Sequence, residues 1–333
     1  MGFTRISQTL STMEIMLLVR HDLKRVEKEI GLESIASVDA ITQIGKYLQE
    51  SGGKRLRPTL LLLSGHLFAE PTDAAIRLAA VVEMIHTATL VHDDVIDEAE
   101  TRRGRPSTNA QWGNHTSVLA GDWLYMQAFQ VALRQRNFLL LDILITLTQM
   151  MVEGELIQLE RIGKLNVSEA DYMELTHRKT ASLFSACARL GAAVSGGDDA
   201  AEAKLGEYAW NLGMAFQLID DILDFTSNEK VLGKPVGNDL VEGKVTLPLI
   251  YALDSATPTE RGLVTRVIAD KSYAHVPFAV ILTLLTKYNG IERARERAQT
   301  FTEKSRAIIA EFPESSYQRA LLAVTDLVTD RDF

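Results

Sequence analysis

Two five-residue acidic words dominate this 333-residue chain: DDVID at Asp93, Asp94 and Asp97, and DDILD at Asp220, Asp221 and Asp224. Each lies inside a long apolar run with helical spacing, where carboxylates are costly to place. In a helix the first and last aspartates of a word are i and i+4 neighbours, with Cβ atoms roughly 5 to 6 Å apart, so both point the same way. Without a cation, two such charges about 4 Å apart repel by roughly 4 kcal/mol at an effective dielectric of about 20. A divalent cation bridging them relieves that repulsion. Oxygen ligands with no cysteine nearby favour magnesium, which keeps part of its water shell and binds one or two carboxylates plus phosphate oxygens.

Four basic segments accompany the acidic words. GGKRLRP, from Gly52 to Pro58, sets Lys54, Arg55 and Arg57 after two glycines and at the start of a helical run. Glycine lets backbone approach an anion closely, and a helix N-terminus presents unpaired N–H groups at a positive dipole end, so this segment suits phosphate. TRRGRP, from Thr101 to Pro106, follows the first word and puts Arg102 and Arg103 beside it. Taken alone, that pair reads as a helix C-terminal charge arrangement worth about 0.3 to 1 kcal/mol per residue. His177, Arg178, Lys179 and Thr180 open a run of small residues, and GKPVGNDLVEGK, from Gly233 to Lys244, is a glycine-punctuated loop carrying Lys234, Asp239 and Lys244. No single cluster is decisive. Together, beside two acidic words in a chain of formal net charge -9, they point to an anion held by protein cations and metal.

Positioning these groups falls to helices. Apolar residues recur at helical spacing almost throughout, and alternating β-branched runs bounded by turns are missing, which predicts an all-α protein. Helices are expected over residues 9–30, 34–51, 56–69, 73–98, 116–135, 138–162, 168–196, 199–227, 245–254, 258–270, 274–287, 290–311 and 315–329. Asp73, Ser168 with Asp171 three residues on, and Thr257 before Pro258 are the expected caps. The helices at 73–98, 116–135, 138–162 and 199–227 are apolar over most of their circumference. They are expected at the centre of one helical bundle of about 10–13 helices, with the acidic words facing a deep cavity.

Composition narrows the classes further. At 46% hydrophobic the chain can bury a large core, and with only 8 prolines and no Ser/Gly-rich stretch it shows no linker, so one domain over 1–333 is expected. The acidic balance argues against a nucleic-acid partner, which needs a broad basic face. The single cysteine, Cys187, sits among Ala186, Ala188, Leu190 and Gly191 and reads as a packing thiol; it excludes an internal disulfide and fits a reducing compartment. No signal-peptide pattern opens the sequence, and the greasy stretch 138–152, broken by Asp142, Thr146, Thr148 and Gln149, is too short to span a bilayer. A cytoplasmic protein without stable membrane insertion is expected.

GGKRLRP, DDVID followed by RRG, the Lys179–Thr180 pair, FQLIDD at Phe216 to Asp221, and GKPVGND occur in an order that resembles the trans-type isoprenyl diphosphate synthases, or polyprenyl synthetases, over residues 45–250. The resemblance implies an isoprenoid synthase fold. It implies an enzyme joining an allylic diphosphate head-to-tail to isopentenyl diphosphate by metal-assisted ionisation, condensation and proton elimination. On that analogy Asp93, Asp97 and Asp220 ligate magnesium, while Asp94, Asp221 and Asp224 support them through water or hydrogen bonds. Arg102, Lys179 and Lys234, with Lys244 a weaker candidate, would bind the allylic diphosphate. Gly53, Lys54, Arg57, His86 and Arg103 would hold isopentenyl diphosphate without metal. Thr180 and Gln217 would steady the allylic cation, and Phe216 would pack on the substrate. The analogy further implies a homodimer, with the apolar helices between 116 and 162 as interface, and transient membrane contact when a greasy product leaves.

In this family the residues just before the first acidic word help set product length. Here they are Ala88 and Thr89, with no aromatic ring, which implies an open shaft and a long-chain product such as octaprenyl or solanesyl diphosphate. Val81, Met84, Met126, Phe129 and Leu133 are candidates for deeper stops, and a farnesyl or geranylgeranyl product is the alternative. Two rivals differ in class. Glu83 with His86 and Glu174 with His177 have the Glu-x-x-His spacing of di-iron bundles, but that reading leaves the acidic words and basic segments unused. A terpene cyclase or head-to-head condensing enzyme shares diphosphate ionisation, but GGKRLRP and the complete second word favour elongation. A non-catalytic partner subunit is disfavoured because the metal set is intact.

Overall fold

The computed structural model describes residues 10–227 and 236–329, and among them the chain is helical apart from loops and one two-stranded hairpin. The expected all-α class is observed. Contacts divide the chain into two compact units: Met1–Thr146 with Phe184–Gly206 and Ile309–Val324, and Leu147–Leu183 with Glu207–Ile308 and Thr325–Phe333.

The first unit holds α1 (Thr12–Leu18), α2 (Arg20–Glu33), α3 (Asp39–Glu50), α4 (Leu56–Gly65), α5 (Asp73–Ile96), α6 (Thr108–Trp112) and α7 (Asn114–Leu133). Its axis is α5, against which α2, α4 and α7 pack. Ala79, Ala80, Val81, Val82 and Ile85 are fully buried there, because small and β-branched side chains let neighbouring helices approach on several sides. Thr72, rather than Asp73, caps this helix by accepting the Ala75 N–H at 3.3 Å, and Asp73 lies in the first turn where its charge meets the dipole. Where α7 crosses α5, a Cβ on Gly121 would lie 2.2 Å from His92 Nε2, so the glycine gives the His92 ring its present place. Helix α5 is long and apolar enough to cross a membrane, but 67% of its most apolar window is buried inside the structure, as a core helix requires.

Strands β1 (Thr101–Arg102) and β2 (Arg105–Pro106) pair antiparallel around Arg103 and Gly104, whose φ values of 54° and 74° form a tight hairpin turn. The continuous 9–30 helix expected from periodicity breaks at Val19, and a short α6 precedes α7. Neither break carries proline, which is why periodicity passed over them.

Helices α8 (Phe138–Arg161), α10 (Ser182–Val194) and α11 (Asp199–Thr226) each contribute residues to both units. In the second unit α9 (Glu169–Thr176) has the capping box expected of Ser168 and Asp171. The segment His177–Ala181 then widens into a π-helical turn, splitting the single helix expected over 168–196. A hydrogen bond from Trp210 Nε1 to His177 Nδ1 at 2.7 Å anchors that turn. Gly154 of α8 lies opposite, where a Cβ would come within 2.9 Å of Arg178 Cβ and Lys179 Cγ. Helices Pro258–Asp270, with the predicted Thr257 cap, and Gly290–Ala310 match the sequence reading closely.

The expectation that α7 and α8 are central is corrected. Val118, Leu119, Met126 and Leu133 on α7, and Phe138, Ile145, Val152, Leu156 and Leu159 on α8, are exposed. Their apolar circumference therefore reflects one face in the core and another bare.

Candidate active site

In the first unit the residues expected to bind an anion gather beside the first acidic word. A pocket is lined by Gly52, Arg55, Glu83, His86, Asp94, Arg102 and Arg103, with Tyr47 and Pro106 at its edge. The hairpin delivers Arg102 and Arg103 to it. Tyr47 on α3 fixes that hairpin by donating to the Pro106 carbonyl at 2.7 Å, while its ring carries the Arg105 guanidinium at 4.2 Å and meets Trp112 edge-on at 5.0 Å. Arg103 Nη1 donates to the Gly52 carbonyl, and a Cβ at Gly53 would sit 2.9 Å from Arg103 Nη1, so glycine keeps the loop and the arginine together. Burial, then the charges of Arg57, Arg103, Arg102 and Arg55, hold the His86 imidazole well below its ordinary proton affinity. His86 is thus a neutral hydrogen-bonding group in a cationic pocket. Arg57 places its guanidinium over the Phe184 ring at 5.6 Å, and Lys54 is exposed at the loop tip.

The three aspartates of the first word occupy different environments. Asp94 is 2% exposed and accepts both Arg102 Nε at 2.7 Å and Arg102 Nη2 at 2.6 Å on one oxygen. Asp93 is half-buried, and its charge, after burial itself, raises the proton affinity of Tyr125. Asp97 caps α5 and is exposed.

In the second unit a hydrogen-bond chain links the π turn to the second word. Thr180 Oγ1 donates to Gln217 Oε1 at 2.9 Å, Gln217 Nε2 donates to Asp221 Oδ1 at 2.7 Å, and Tyr172 donates its hydroxyl to Asp221 Oδ2 at 2.6 Å. Burial first, then the Asp239 and Asp220 charges, push the Asp221 carboxyl up to about 8 against these hydrogen bonds. Asp224, 1% exposed, accepts the Asp239 N–H at 3.3 Å, and its carbonyl accepts the Gly237 N–H at 2.7 Å. Asp220 is half-buried, as are Phe216 and Gln217. Lys179 bonds Gln158 at 3.1 Å and pairs with Glu155, while Lys244 pairs with Glu242 at 2.6 Å. Among the described residues no three His, Cys, Asp or Glu side chains converge tightly enough to hold an ion by themselves.

Residues 38–281 match the polyprenyl synthetase family. The chain belongs to that family. It is 37% identical to the octaprenyl diphosphate synthase of Haemophilus influenzae, covering 97% of this chain and 98% of that protein. It is 38% identical to the geranyl-diphosphate-specific all-trans-nonaprenyl-diphosphate synthase of Rhodobacter capsulatus, over 96% and 97% of the two chains. Among solved structures, the polyprenyl synthase of Caulobacter crescentus CB15, complexed with calcium and isoprenyl diphosphate, superposes with a TM-score of 0.91 at 35% identity, covering 97% of this chain and 99% of that one.

For this polyprenyl synthetase the structure gathers Gly53, His86, Arg102, Arg103 and Asp94 in one unit, and Thr180, Gln217 and Asp221 in the other. Lys234 lies outside the described residues. Ala88 is fully buried, and Thr89, half-buried, donates its hydroxyl to the His86 carbonyl at 2.7 Å. Val81 and Met84 are buried in the core. Met126 and Leu133 are exposed and line an apolar groove with Trp123 and Phe129. Sequence reading missed Tyr47, Tyr172 and Trp210, each an aromatic at an unremarked helical position. Glu83 carried a visible signal, a carboxylate three residues before His86 in an apolar helix, but was weighed only as a di-iron ligand. Its Oε1 accepts from Arg55 at 2.7 Å, and His177 Nδ1 accepts from Trp210.

Proposed function

We propose that this polyprenyl synthetase condenses an allylic diphosphate with successive isopentenyl diphosphate units into a long-chain all-trans polyprenyl diphosphate. The observation that carries the reading is a cationic pocket around His86 only seven residues from Asp93 on the same helix, so one substrate anion and one metal-binding carboxylate share a scaffold. Arg57, Arg103, Lys54 and neutral His86 bind isopentenyl diphosphate by charge and hydrogen bonds. Asp93, Asp97 and Asp220 are the proposed magnesium ligands, and Asp221 supports the reading because its crowded, buried carboxyl is the kind whose ionisation a nearby dication favours. Bound magnesium would supply Lewis-acid stabilisation of the departing diphosphate. Arg102 and Lys179, with Lys234 and Lys244, would neutralise the same leaving group, so that the carbon–oxygen bond breaks to an allylic cation. Gln217, held by Thr180, turns an amide dipole toward that cation, and the released diphosphate takes the proton lost on condensation.

An alanine rather than an aromatic ring at position 88, five residues before the first word, supports a long chain over a farnesyl or geranylgeranyl one. The bare apolar faces of α7 and α8 fit a homodimer, since patches of this kind on a monomer mark interaction surfaces. A cytoplasmic location fits the lone buried Cys187.

The test is turnover by the purified chain with magnesium, labelled isopentenyl diphosphate and several allylic starters, with products separated by length. Elongation beyond geranylgeranyl is expected. Consumption of starter with isopentenyl diphosphate omitted would instead indicate a cyclase.

A further inference from the structure

Arg55 occupies the middle of GGKRLRP, yet its guanidinium is already engaged. Its Nε and Nη2 reach Glu27 on α2, the latter at 3.3 Å, and its Nη1 meets Glu83 on α5 at 2.7 Å. The Arg55 and Glu83 side chains are 13% and 7% exposed. The Arg55 backbone is left-handed, with φ 49°, just before α4, a conformation that non-glycine residues adopt only when their surroundings hold them there. Two carboxylates from two helices supply that hold. The segment they fix is Gly52, Gly53 and Lys54, whose Gly52 carbonyl receives Arg103.

Charge leads to the same place. Arg55, Arg57, Arg102 and Arg103 all act on His86, so the pocket would attract an anion from several directions at once. Asp94 pairs with Arg102, and Glu27 with Glu83 pair with Arg55.

We infer that Glu83, assisted by Glu27, is a positioning residue for isopentenyl diphosphate: by clamping Arg55 it shapes the Gly52–Lys54 loop and keeps the Arg55 fork off the substrate. The inference rests on the reading of this pocket as the isopentenyl diphosphate site. The proposed action of Glu83 is through Arg55. Without the Glu83 charge, Arg55 keeps only Glu27, and its Nη1 can turn toward the diphosphate and draw it out of register with the starter.

Glu83→Gln is the deciding variant, read by steady-state kinetics and by metal-free calorimetry with isopentenyl diphosphate alone. The KM and the calorimetric Kd for isopentenyl diphosphate should rise about tenfold, the effect of losing one charge-assisted hydrogen bond. The KM for the allylic starter should stay at the wild-type value. Arg55→Lys, which keeps the charge and loses the fork, should reproduce the change. Unchanged affinity for isopentenyl diphosphate, or equal loss for both substrates, overturns the inference. If Glu83→Gln does not fold, Glu27→Gln, which removes the more exposed carboxylate, decides by the same readings with a several-fold rise expected. Wild-type enzyme separates the two levels: no polyprenyl product from it sinks the functional reading, whereas normal wild-type elongation with unaltered variants sinks only the clamp.

Discussion

The two acidic words are nearly the same in sequence and differ in what surrounds their middle aspartate. In the first, Asp94 is paired with Arg102, and the word ends at a helix terminus with Asp97 in solvent. In the second, the word lies inside α11, and Asp221 receives two neutral hydrogen bonds while Asp239 and Asp220 oppose its charge. Four residues before each word the contrast continues, with Thr89 ahead of Asp93 and Phe216 ahead of Asp220. A repeated motif therefore does not imply repeated electrostatics: Asp94 is compensated by an arginine, whereas Asp221 is held by neutral hydrogen bonds against neighbouring carboxylates.

The largest effects should come from the outer aspartates. Asp93→Ala and Asp220→Ala should each lower kcat by about a thousandfold, on the scale of removing a principal group stabilising the leaving charge. Normal rates in either folded variant, measured with saturating magnesium, would break the proposed equivalence of the two words as metal ligands. Next comes shape. Ala88→Phe should shorten the product, read by chromatography at fixed substrate ratio, because a ring at a fully buried position has to displace whatever passes there. An unchanged product distribution would remove α5 as the floor.

The middle aspartates sharpen the contrast through stability. Asp94→Asn leaves Arg102 without its partner and should cost about 1.5 to 3 kcal/mol, seen as a lowered Tm in metal-free protein. Asp221→Asn removes a charge that burial already disfavours, while its amide can still accept from Tyr172, so its metal-free Tm should hold or rise. Equal losses at both positions would mean that the words do not differ as described.

Much of this was legible from residue types. Helix existence followed from apolar periodicity, and the caps at Ser168 and Thr257 from short-range chemistry. The cationic side chains around His86 were readable because charge clusters next to an acidic word have few other uses. Other features depend on contacts distant in sequence. The π turn at His177 is held by Trp210, 33 residues away, and Tyr172 reaches Asp221 across 49 residues. Nor could periodicity tell a helix buried all round from one with a bare face, which is why α7 and α8 were placed too centrally.

The smallest effect concerns His86, which has no counterpart ahead of the second word, where Gly213 stands at the equivalent distance. Burial and four arginines keep His86 neutral in the folded protein, whereas in the unfolded chain it takes up a proton near pH 6.5. Below that pH the unfolded state binds more protons than the native one, so stability is present above about pH 6.5 and declines as pH falls toward the depressed folded value. The metal-free Tm should therefore drop between about pH 6.5 and 5, and His86→Gln should flatten that drop. Isopentenyl diphosphate should flatten it as well, because an anion among the arginines restores the affinity of the imidazole for a proton. Flattening by substitution but not by ligand would separate the histidine from the diphosphate. Flattening by neither would show that the arginines of the first unit do not converge on His86, and the difference between the two words would then rest on Asp94 and Asp221 alone.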